Sequence, residues 1–282
     1  MSSKASCADM LGPLKAAALV LCLGSGCAGS LRPTHPISDA KLALERQSAT
    51  GAGLHAIRAE ARVDQRKSGG RIRGTVLMFV EETGRVRFDV MTQFGPAAIL
   101  TSDGKQFAFS DFRESRFLSG DTCPQNIARL LGVQLTAEET ARFLLGGTSV
   151  LKAETTQFAV DDDGHYALQL KAATGARQQL TLAVYPSDLA LPAEQQRLYL
   201  VRSELWDAQG QKIWRVSYDD LESLSVGSAS LLVPMRVHIE QSTQNSDTLV
   251  HFKKVVANPT LEDAIFVQTP RPGMNEEAAV CE

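Results

Sequence analysis

Apolar and polar residues alternate with a period of two from about residue 54 to residue 90, interrupted by the turn sequences Lys67-Ser68-Gly69-Gly70 and Thr83-Gly84. This alternation is typical of antiparallel strands that bury one face and leave the other in water. The pattern therefore predicts three successive strands. Their buried face would carry Ile57, Ala59, Ala61, Val63, Ile72, Val76, Met78, Val80, Val86, Phe88 and Val90.

The period changes in the middle of the chain, where two short helices are predicted at Cys123–Leu131 and Thr136–Leu145. Glu139 stands three places after Thr136, which is the spacing of a capping box at a helix N-terminus. A further short helix over residues 39–48 would begin at Ser38-Asp39, because these side chains satisfy free backbone N–H groups.

Short strands separated by turn sequences account for most of the remaining chain. The sequence therefore predicts a mainly β (α+β) fold with one helical insertion, either a single curved sheet or a barrel. The further strands are predicted at residues 97–102, 105–111, 115–119, 154–161, 165–172, 177–185, 197–207, 212–219, 231–242 and 248–257.

A short apolar run at residues 16–23 is followed by Gly24-Ser25-Gly26-Cys27. It is shorter than the roughly 20 apolar residues that span a bilayer, and it has the length of a removable signal. It resembles a bacterial lipoprotein signal, which implies cleavage before Cys27 and acylation of that cysteine. The alternative is an ordinary secretory signal cleaved near Ala28 or Gly29, because Gly24 stands where a lipoprotein signal usually has leucine.

Four segments follow from these features. Residues 1–26 are the signal peptide, and residues 27–48 are the lipid anchor, an extended tether and a short helix. Residues 49–270 form the β domain, and residues 271–282 form a polar, acidic C-terminal tail.

Composition narrows the possible partners. The chain has 282 residues, a formal net charge of -3 and a sequence pI near 6.0, without the basic stripe of a nucleic-acid-binding protein. Nucleic acid is therefore not expected as a partner. Beyond the signal, no apolar run is long enough to cross a membrane.

Two of the five cysteines are expected in the mature domain. Cys7 and Cys22 would leave with the signal and Cys27 would be acylated, so Cys123 and Cys281 remain. An oxidising compartment permits a disulfide between them, which would attach the tail to the start of a helix. The alternative is two free thiols, because the sequence does not give the distance between their α-carbons.

The sequence contains no catalytic or metal-binding motif that we recognise. The five histidines form no His-x-x-x-His set, and there is no Gly-rich phosphate loop or Gly-x-Ser-x-Gly elbow. Asp161-Asp162-Asp163-Gly164 is interpreted as a hairpin turn rather than a calcium loop. The last predicted hairpin would bring His238 near Glu240, or His251 near Asp247. We interpret such proximity as chance rather than as a catalytic site. We therefore expect no enzyme activity, metal or cofactor.

Six arginines lie on the polar side of the first three predicted strands. They would contact acidic headgroups or an acidic partner, or they belong to a solvated face that also carries Glu60, Glu81, Glu82 and Asp89. The second interpretation is the simpler one. The arginines are Arg58, Arg62, Arg71, Arg73, Arg85 and Arg87.

The segment Thr92–Gly147 has a Phe94-Gly95 turn after a strand, a hairpin at Asp103-Gly104, and helices ending in Leu-Leu-Gly-Val and Phe-Leu-Leu-Gly-Gly. It resembles the middle of LolB, the outer-membrane lipoprotein receptor. The end of the chain, residues 258–270, is similar to that of the wider LolA/LolB-like fold. The resemblance implies an open, strongly curved antiparallel half-barrel sheet with a short helical insertion covering its concave face.

The resemblance also implies an apolar cavity for lipid or lipoprotein acyl chains such as palmitate. The alternative for each residue assigned to the lining of this cavity is that it belongs to the ordinary apolar core. In addition, the chain continues for about 135 residues after Gly147, and those strands would fill the cavity or build a partner surface. The assigned lining residues are Val76, Met78, Phe88, Val90, Leu130, Phe143 and Leu144.

In LolB an apolar residue protrudes from the loop after an early strand and contacts the membrane. The matching position is Phe94, whose alternative role is a core aromatic at a strand end. Ala28 follows the anchor cysteine in place of Asp, so an inner-membrane retention signal is missing. We therefore expect a lipid-anchored protein on the periplasmic face of the outer membrane. The alternative function is a structural, non-enzymatic subunit that binds other envelope proteins.

Overall fold

Strands dominate the computed structural model, which describes residues 32–67, 70–226 and 229–281. Each predicted strand is present, within a few residues of its expected bounds except where β11 extends to Val226. The strands are β1 (Ala56–Lys67), β2 (Gly70–Glu81), β3 (Val86–Thr92), β4 (Gly95–Ser102), β5 (Gln106–Asp111), β6 (Arg116–Asp121), β7 (Thr155–Val160), β8 (Tyr166–Lys171), β9 (Arg177–Val184), β10 (Leu198–Trp206), β11 (Lys212–Val226), β12 (Ala229–Gln241), β13 (Ser246–Ala257) and β14 (Asn275–Ala279).

The described strands form a single 14-stranded sheet in the order β14-β6-β5-β4-β3-β2-β1-β13-β12-β11-β10-β9-β8-β7. Neighbouring strands are antiparallel except β14 and β6, which are parallel. The chain begins its sheet in the middle, adds strands outward to β6, crosses over through the helices and returns from β7. This open, curved sheet with a helical insertion confirms the predicted fold class.

In the described part of the chain, three α-helices accompany the sheet: α1 (Ala40–Gly51), α2 (Pro124–Leu131) and α3 (Ala137–Leu144). The Asp39 carboxylate caps α1 by accepting from the backbone N–H groups of Lys41 and Leu42. Thr136 and Glu139 form both hydrogen bonds of the predicted capping box. These local contacts explain why the sequence predicted the starts of the helices correctly.

The helices and one face of the sheet share a continuous apolar core. Met78 and Phe88 from the sheet and Phe143 from α3 are fully buried in it. Trp214 of β11 packs edge-on against Phe143, with ring centroids 5.0 Å apart. We call the face that carries this core the inner face and the opposite face the outer face.

The C-terminal segment after residue 270 contributes an edge strand to the sheet. β14 pairs with β6, and a disulfide joins Cys281 to Cys123, with the two α-carbons 6.1 Å apart. Gly120 allows this pairing, because a Cβ there would collide with the backbone carbonyl of Ala279. The polar sequence of β14 does not suggest a strand, since its pairing depends on contacts with residues far along the chain.

The N-terminal segment lies on the domain from Arg32 onward, although the sequence predicted an extended tether over residues 28–36. The Arg32 guanidinium donates to the carbonyl oxygen of Asp162, at 2.6 Å from Nη2. The Ile37 side chain is buried, and its backbone N–H donates to the Tyr166 hydroxyl at 2.9 Å. Burial of Ile37 holds this segment against the ends of β7 and β8.

Among the described residues, no helix has the length and apolar character needed to cross a bilayer. Cys27 and the predicted signal peptide lie outside the described residues, so cleavage and acylation stay predictions.

We expect the disulfide to stabilise the fold and to hold β14 in place. In a chain that begins at Ala28, Cys123 and Cys281 are the remaining cysteines, so the double substitution Cys123→Ser/Cys281→Ser removes the cross-link alone. The free energy of unfolding should fall by about 2–5 kcal/mol, because the cross-link restricts the unfolded chain. Urea unfolding measures this change. Reductant should shift the wild-type curve towards that of the variant and leave the variant unmoved; equal stability of the two proteins would contradict the prediction.

Candidate functional site

The residues assigned to the acyl cavity lie together, but as packed core. Val76, Met78, Phe88, Phe143 and Leu144 are each at most 3% exposed. Val90 and Leu130 are partly buried and pack against the same core. None of these residues lines the pockets described below.

Strands that follow Gly147 fill the space under α3. The Trp214 ring of β11 occupies the position beside Phe143, and the Tyr218 hydroxyl donates to the Gly147 carbonyl at 2.6 Å. Burial raises the pKa of Tyr218 well above its ordinary value, so the phenol remains a neutral donor. The additional strands therefore close the interior that the sequence analysis assigned to acyl chains.

An open cleft of about 1140 Å³ lies instead between α1 and the segment that follows α3. Its apolar wall includes Leu44 and Leu54 on one side and Leu145 and Val150 on the other. Charged side chains stand around it, including Arg142. The cleft exceeds the roughly 300–1,000 Å³ of common small-molecule sites. Its lining is mixed, because Glu45, Glu82 and Glu138 also line it.

A small internal cavity of about 40 Å³ lies next to the cleft. Gly51, Leu54 and Leu145 line both spaces, so the two lie side by side. A cavity of this size holds about one water molecule and no acyl chain. Its wall is nevertheless largely apolar, including Leu198, Leu200, Leu221, Leu231, Leu232 and Pro234.

A partly buried ion pair supports the wall of this cavity in the loop between β9 and β10. The Arg197 guanidinium donates to both carboxylate oxygens of Asp188, at 2.7 and 2.8 Å, and lies 4.5 Å from the ring centroid of Tyr185. The hydrogen bond from Arg197 lowers the pKa of Asp188 to about 2, against the opposing effect of burial. Tyr185 lines the cavity, so this pair positions one side of it.

Phe94 projects from the turn between β3 and β4 and is 90% exposed, so the alternative of a core aromatic is wrong. The Thr92 hydroxyl accepts from the Phe94 N–H at 3.2 Å and donates to the Gly95 carbonyl at 2.7 Å. Gly95 has φ of 115°, a conformation that favours glycine. Ile72, 68% exposed, lies at the same end of the sheet near the start of β2.

The arginines of the first strands mostly have acidic neighbours. Arg71 and Arg73 both bind Asp64, at 2.5 and 2.8 Å, and Arg87 binds Asp89 at 2.8 Å. These pairs favour the interpretation of a solvated, charge-balanced face. Arg85 likewise pairs with Glu81 and Asp263.

Among the residues that the structure describes, two groups of histidine and carboxylate side chains are close enough to share a cation. His238 lies 2.9 Å from Asp247 and 3.8 Å from Glu240, while Arg215 pairs with Glu240 at 2.6 Å. His251 instead faces Lys253. The contact with Arg215 neutralises the Glu240 carboxylate. Ion pairs within the protein therefore explain why His238, Glu240 and Asp247 lie together.

The other group lies in the predicted turn between β7 and β8. The Asp161 carboxylate accepts from the backbone N–H groups of Asp163 and His165, at 3.0 and 2.8 Å. Gly164 has φ of 85°. These contacts are those of a hairpin turn closed by an aspartate.

Sequence reasoning missed the cleft. Leu44, Gly51 and Leu145 are ordinary helix and helix-end residues in the sequence, and nothing local indicates that α1 faces the end of α3. The weak signal was the Leu145-Gly146-Gly147 stop, which marks the end of α3 and a place where another segment packs closely. Gly146 meets Pro234 there, at 3.0 Å from a Cβ built on the glycine.

Comparison with solved structures finds similar chains. A Vibrio parahaemolyticus domain, named for outer membrane lipoprotein sorting, matches with a TM-score of 0.50 and 11% identity, covering 80% of this chain and 94% of that chain. A LolA superfamily protein from Nitrosomonas europaea gives a TM-score of 0.49 and 9% identity, covering 80% and 97% of the two chains. A DUF1329 family protein from Desulfovibrio piger gives a TM-score of 0.48 and 13% identity, covering 80% of this chain and 95% of that chain.

No protein-family model matches the sequence, and no curated protein matches it. The likeness to the Vibrio domain shows that the chain has a LolA/LolB-like fold, which confirms the resemblance at the level of architecture.

We expect Asp188→Asn to destabilise the protein by about 2 kcal/mol at neutral pH, because Arg197 would lose its charged partner. The folded-state pKa of Asp188 lies below its ordinary value of 3.8, so its contribution is present above that pH and is lost as pH falls through about 2. The difference between wild type and variant in urea unfolding should therefore narrow as the solution becomes acidic over that range.

Asp162→Asn is the matched control, because Asp162 is fully exposed and its carboxylate lies 3.8 Å from Arg32. It should change the free energy of unfolding by less than about 1 kcal/mol. Equal destabilisation by both substitutions would contradict the role of the Asp188–Arg197 pair.

Proposed function

We propose that this protein is an envelope lipoprotein, held on the periplasmic face of the outer membrane by an acylated Cys27, that binds a lipid or lipoprotein acyl chain. The proposed site is the cleft between α1 and the segment after α3. The shared fold supports this proposal, because the similar Vibrio domain is named for outer membrane lipoprotein sorting.

The observation that carries the proposal is that the open cleft lies beside a leucine-lined internal cavity and shares lining residues with it. An acyl chain needs apolar surface and no directed chemistry, and each buried methylene contributes about 0.8 kcal/mol. About ten buried methylenes would therefore supply the roughly 8 kcal/mol of a micromolar complex before any ordering cost. The cleft is open to entering ligand, and the internal cavity gives the chain a direction in which to extend.

Deeper entry of the chain requires α1 to move relative to the sheet. Few polar contacts hold it there: the Arg46 guanidinium donates to the Gln196 carbonyl at 2.8 Å, and the Leu198 N–H donates to the Thr50 hydroxyl at 3.2 Å. Ala43 is the one residue of the described helix that is fully buried, while Ala40, Leu42 and Leu44 pack partly buried against the core. We propose that α1 moves as a unit, since an amphipathic helix at the rim of the sheet has fewer contacts to break than a central strand.

The anchor constrains how the domain meets the bilayer. Cys27 is five residues before Arg32, and an extended chain of that length spans at most about 18 Å. Arg32 binds beside the β7–β8 turn, whereas Phe94 lies at the opposite end of the antiparallel strands. We propose that Phe94 also contacts the membrane, which requires the strands to lie along its surface.

The second candidate is a structural, non-enzymatic subunit that binds envelope proteins. The packing of Trp214 against Phe143 and the internal cavity of only about 40 Å³ favour it, because a filled interior leaves the fold as a scaffold. The two candidates differ in whether an acyl chain binds the isolated domain.

We expect Gly51→Phe to block acyl-chain binding. Gly51 lines both spaces, and a Cβ there meets no atom closer than 3.8 Å, so an aromatic ring would occupy the cleft. Fluorescence titration with dansylaminoundecanoic acid should give saturable binding to a chain that begins at Ala28, and at least tenfold weaker binding to the variant.

Lys41→Phe is the control, because it adds the same ring to an exposed position of α1 that lines neither space. It should bind the probe like the wild type. If the wild type does not bind, or Gly51→Phe binds equally well, acyl-chain binding in this cleft is excluded and the scaffold is favoured.

We expect Phe94→Ser to weaken membrane contact without changing stability, because the side chain is already 90% exposed. Sedimentation of the unacylated chain with phospholipid vesicles measures this contact. The control is Val280→Ser, which removes an exposed valine at the opposite end of the strands. Equal loss of sedimentation in both variants, or no loss in Phe94→Ser, would count against the proposed contact.

A further inference from the structure

Another pocket lies on the outer face of the sheet, away from the cleft between α1 and the segment after α3, which we call the acyl cleft. It has a volume of about 520 Å³ and spans β7 to β10. Cross-strand register places three glutamines in one row, with Gln157 opposite Gln169 and Gln169 opposite Gln179. Lys171 pairs with Arg177 in the next row, and Arg177 pairs in turn with Trp206.

Strand alternation shows that these side chains point away from the core. Leu170 and Gln178 belong to the inner face, where the Gln178 side chain binds the Ser203 hydroxyl at 3.0 Å. Gln169 and Gln179, one position before and after, therefore face outward. The pocket is a feature of the outer face that the proposed acyl function does not use.

The polar groups of the pocket are available to a ligand. In the part of the chain that the structure describes, the side chains of the three glutamines, Lys171 and Arg177 form no hydrogen bond or ion pair within the protein. Their neighbour Glu204, by contrast, is paired with Lys212. No carboxylate lines the pocket, so its two cations are uncompensated there.

Trp206 provides an aromatic wall beside these groups. The residue is half-buried and the Lys212 ammonium lies 5.2 Å from its ring centroid, which holds the ring in place. An indole combines a flat apolar surface with low conformational freedom, a property that makes it a common ligand platform.

The chemistry of this combination selects a ligand class. Each side-chain amide offers two donors and one acceptor, which match hydroxyl and acetamido groups. The indole face complements the apolar C–H face of a sugar ring, and the paired cations complement a carboxylate. We propose that this pocket binds a carboxylate-bearing oligosaccharide.

The size of the pocket is consistent with a short saccharide, because 520 Å³ falls within the range of small-molecule sites. A simple anion would use the two cations and would leave the three glutamine amides and the indole without a role. A neutral glycan would leave Lys171 and Arg177 without a role. The combination is explained when sugar and carboxylate occur in one molecule.

The test uses three probes on the full domain beginning at Ala28. The first is the disaccharide of N-acetylglucosamine and N-acetylmuramic acid, which carries a lactyl carboxylate. The second is diacetylchitobiose, a matched neutral disaccharide, and the third is lactate, the carboxylate without the sugar. Titration calorimetry measures affinity, and tryptophan fluorescence reports on the indole of Trp206, since Trp214, the other tryptophan, is buried.

We expect saturable binding of the acidic disaccharide with a change in tryptophan fluorescence. Diacetylchitobiose and lactate should each bind at least tenfold more weakly. The double substitution Lys171→Gln/Arg177→Gln should reduce affinity for the acidic disaccharide at least tenfold, and both positions are exposed, so folding should be unaffected. Added salt should weaken the wild-type complex.

Arg62→Gln is the matched control, because Arg62 is an exposed arginine on the outer face of β1, outside the pocket. It should leave affinity unchanged. The proposal is overturned if the acidic disaccharide does not bind, if either partial probe binds as tightly, or if Arg62→Gln lowers affinity as much as the double substitution. Gly51→Phe should not alter saccharide binding, which separates this site from the acyl cleft.

Discussion

The pairing of β1 with β13 is the constraint on which the rest of the structure depends. Hydrogen bonds between Ile57–Arg66 and Asp247–Ala257 join the beginning and the end of the long meander. They convert two separate groups of antiparallel strands into one sheet, with β1 central to both. The continuous apolar face of this sheet must be shielded from water. Helix α1, which precedes β1, and helices α2 and α3, which lie between β6 and β7, cover it.

Closure of the interior follows from the number of strands beyond the helical insertion. Trp214 and Tyr218 extend from β11 to the end of α3, where a shorter sheet would leave room for a ligand. Binding space therefore remains at the rim, where α1 meets Leu145 and its neighbours across a cleft.

The two faces of the sheet have different chemistry for a simple reason. The inner face must satisfy the core, so its polar groups, such as Gln178 and Ser203, bind each other. The outer face between β7 and β10 has no such requirement, and its glutamines and cations remain open to solvent. The edges are also different: β14 is charged and cross-linked, whereas β7 contains no charged residue. An acidic edge resists unwanted strand pairing.

Alternation and capping predicted strands β1 to β13, the helix caps and the mainly β class, because both act within a few residues. Thr136 with Glu139 and the alternation around Met78 are examples. The protruding position of Phe94 came from the resemblance, and the cysteine pair came from counting. Only the folded chain shows that Trp214 fills the space beside Phe143, that β14 joins the sheet, and that Gly51 faces a cleft. The reason is that these outcomes depend on register and contact between segments far apart in the sequence, such as Cys123 with Cys281 at a separation of 158. Local patterns carry no record of such pairings.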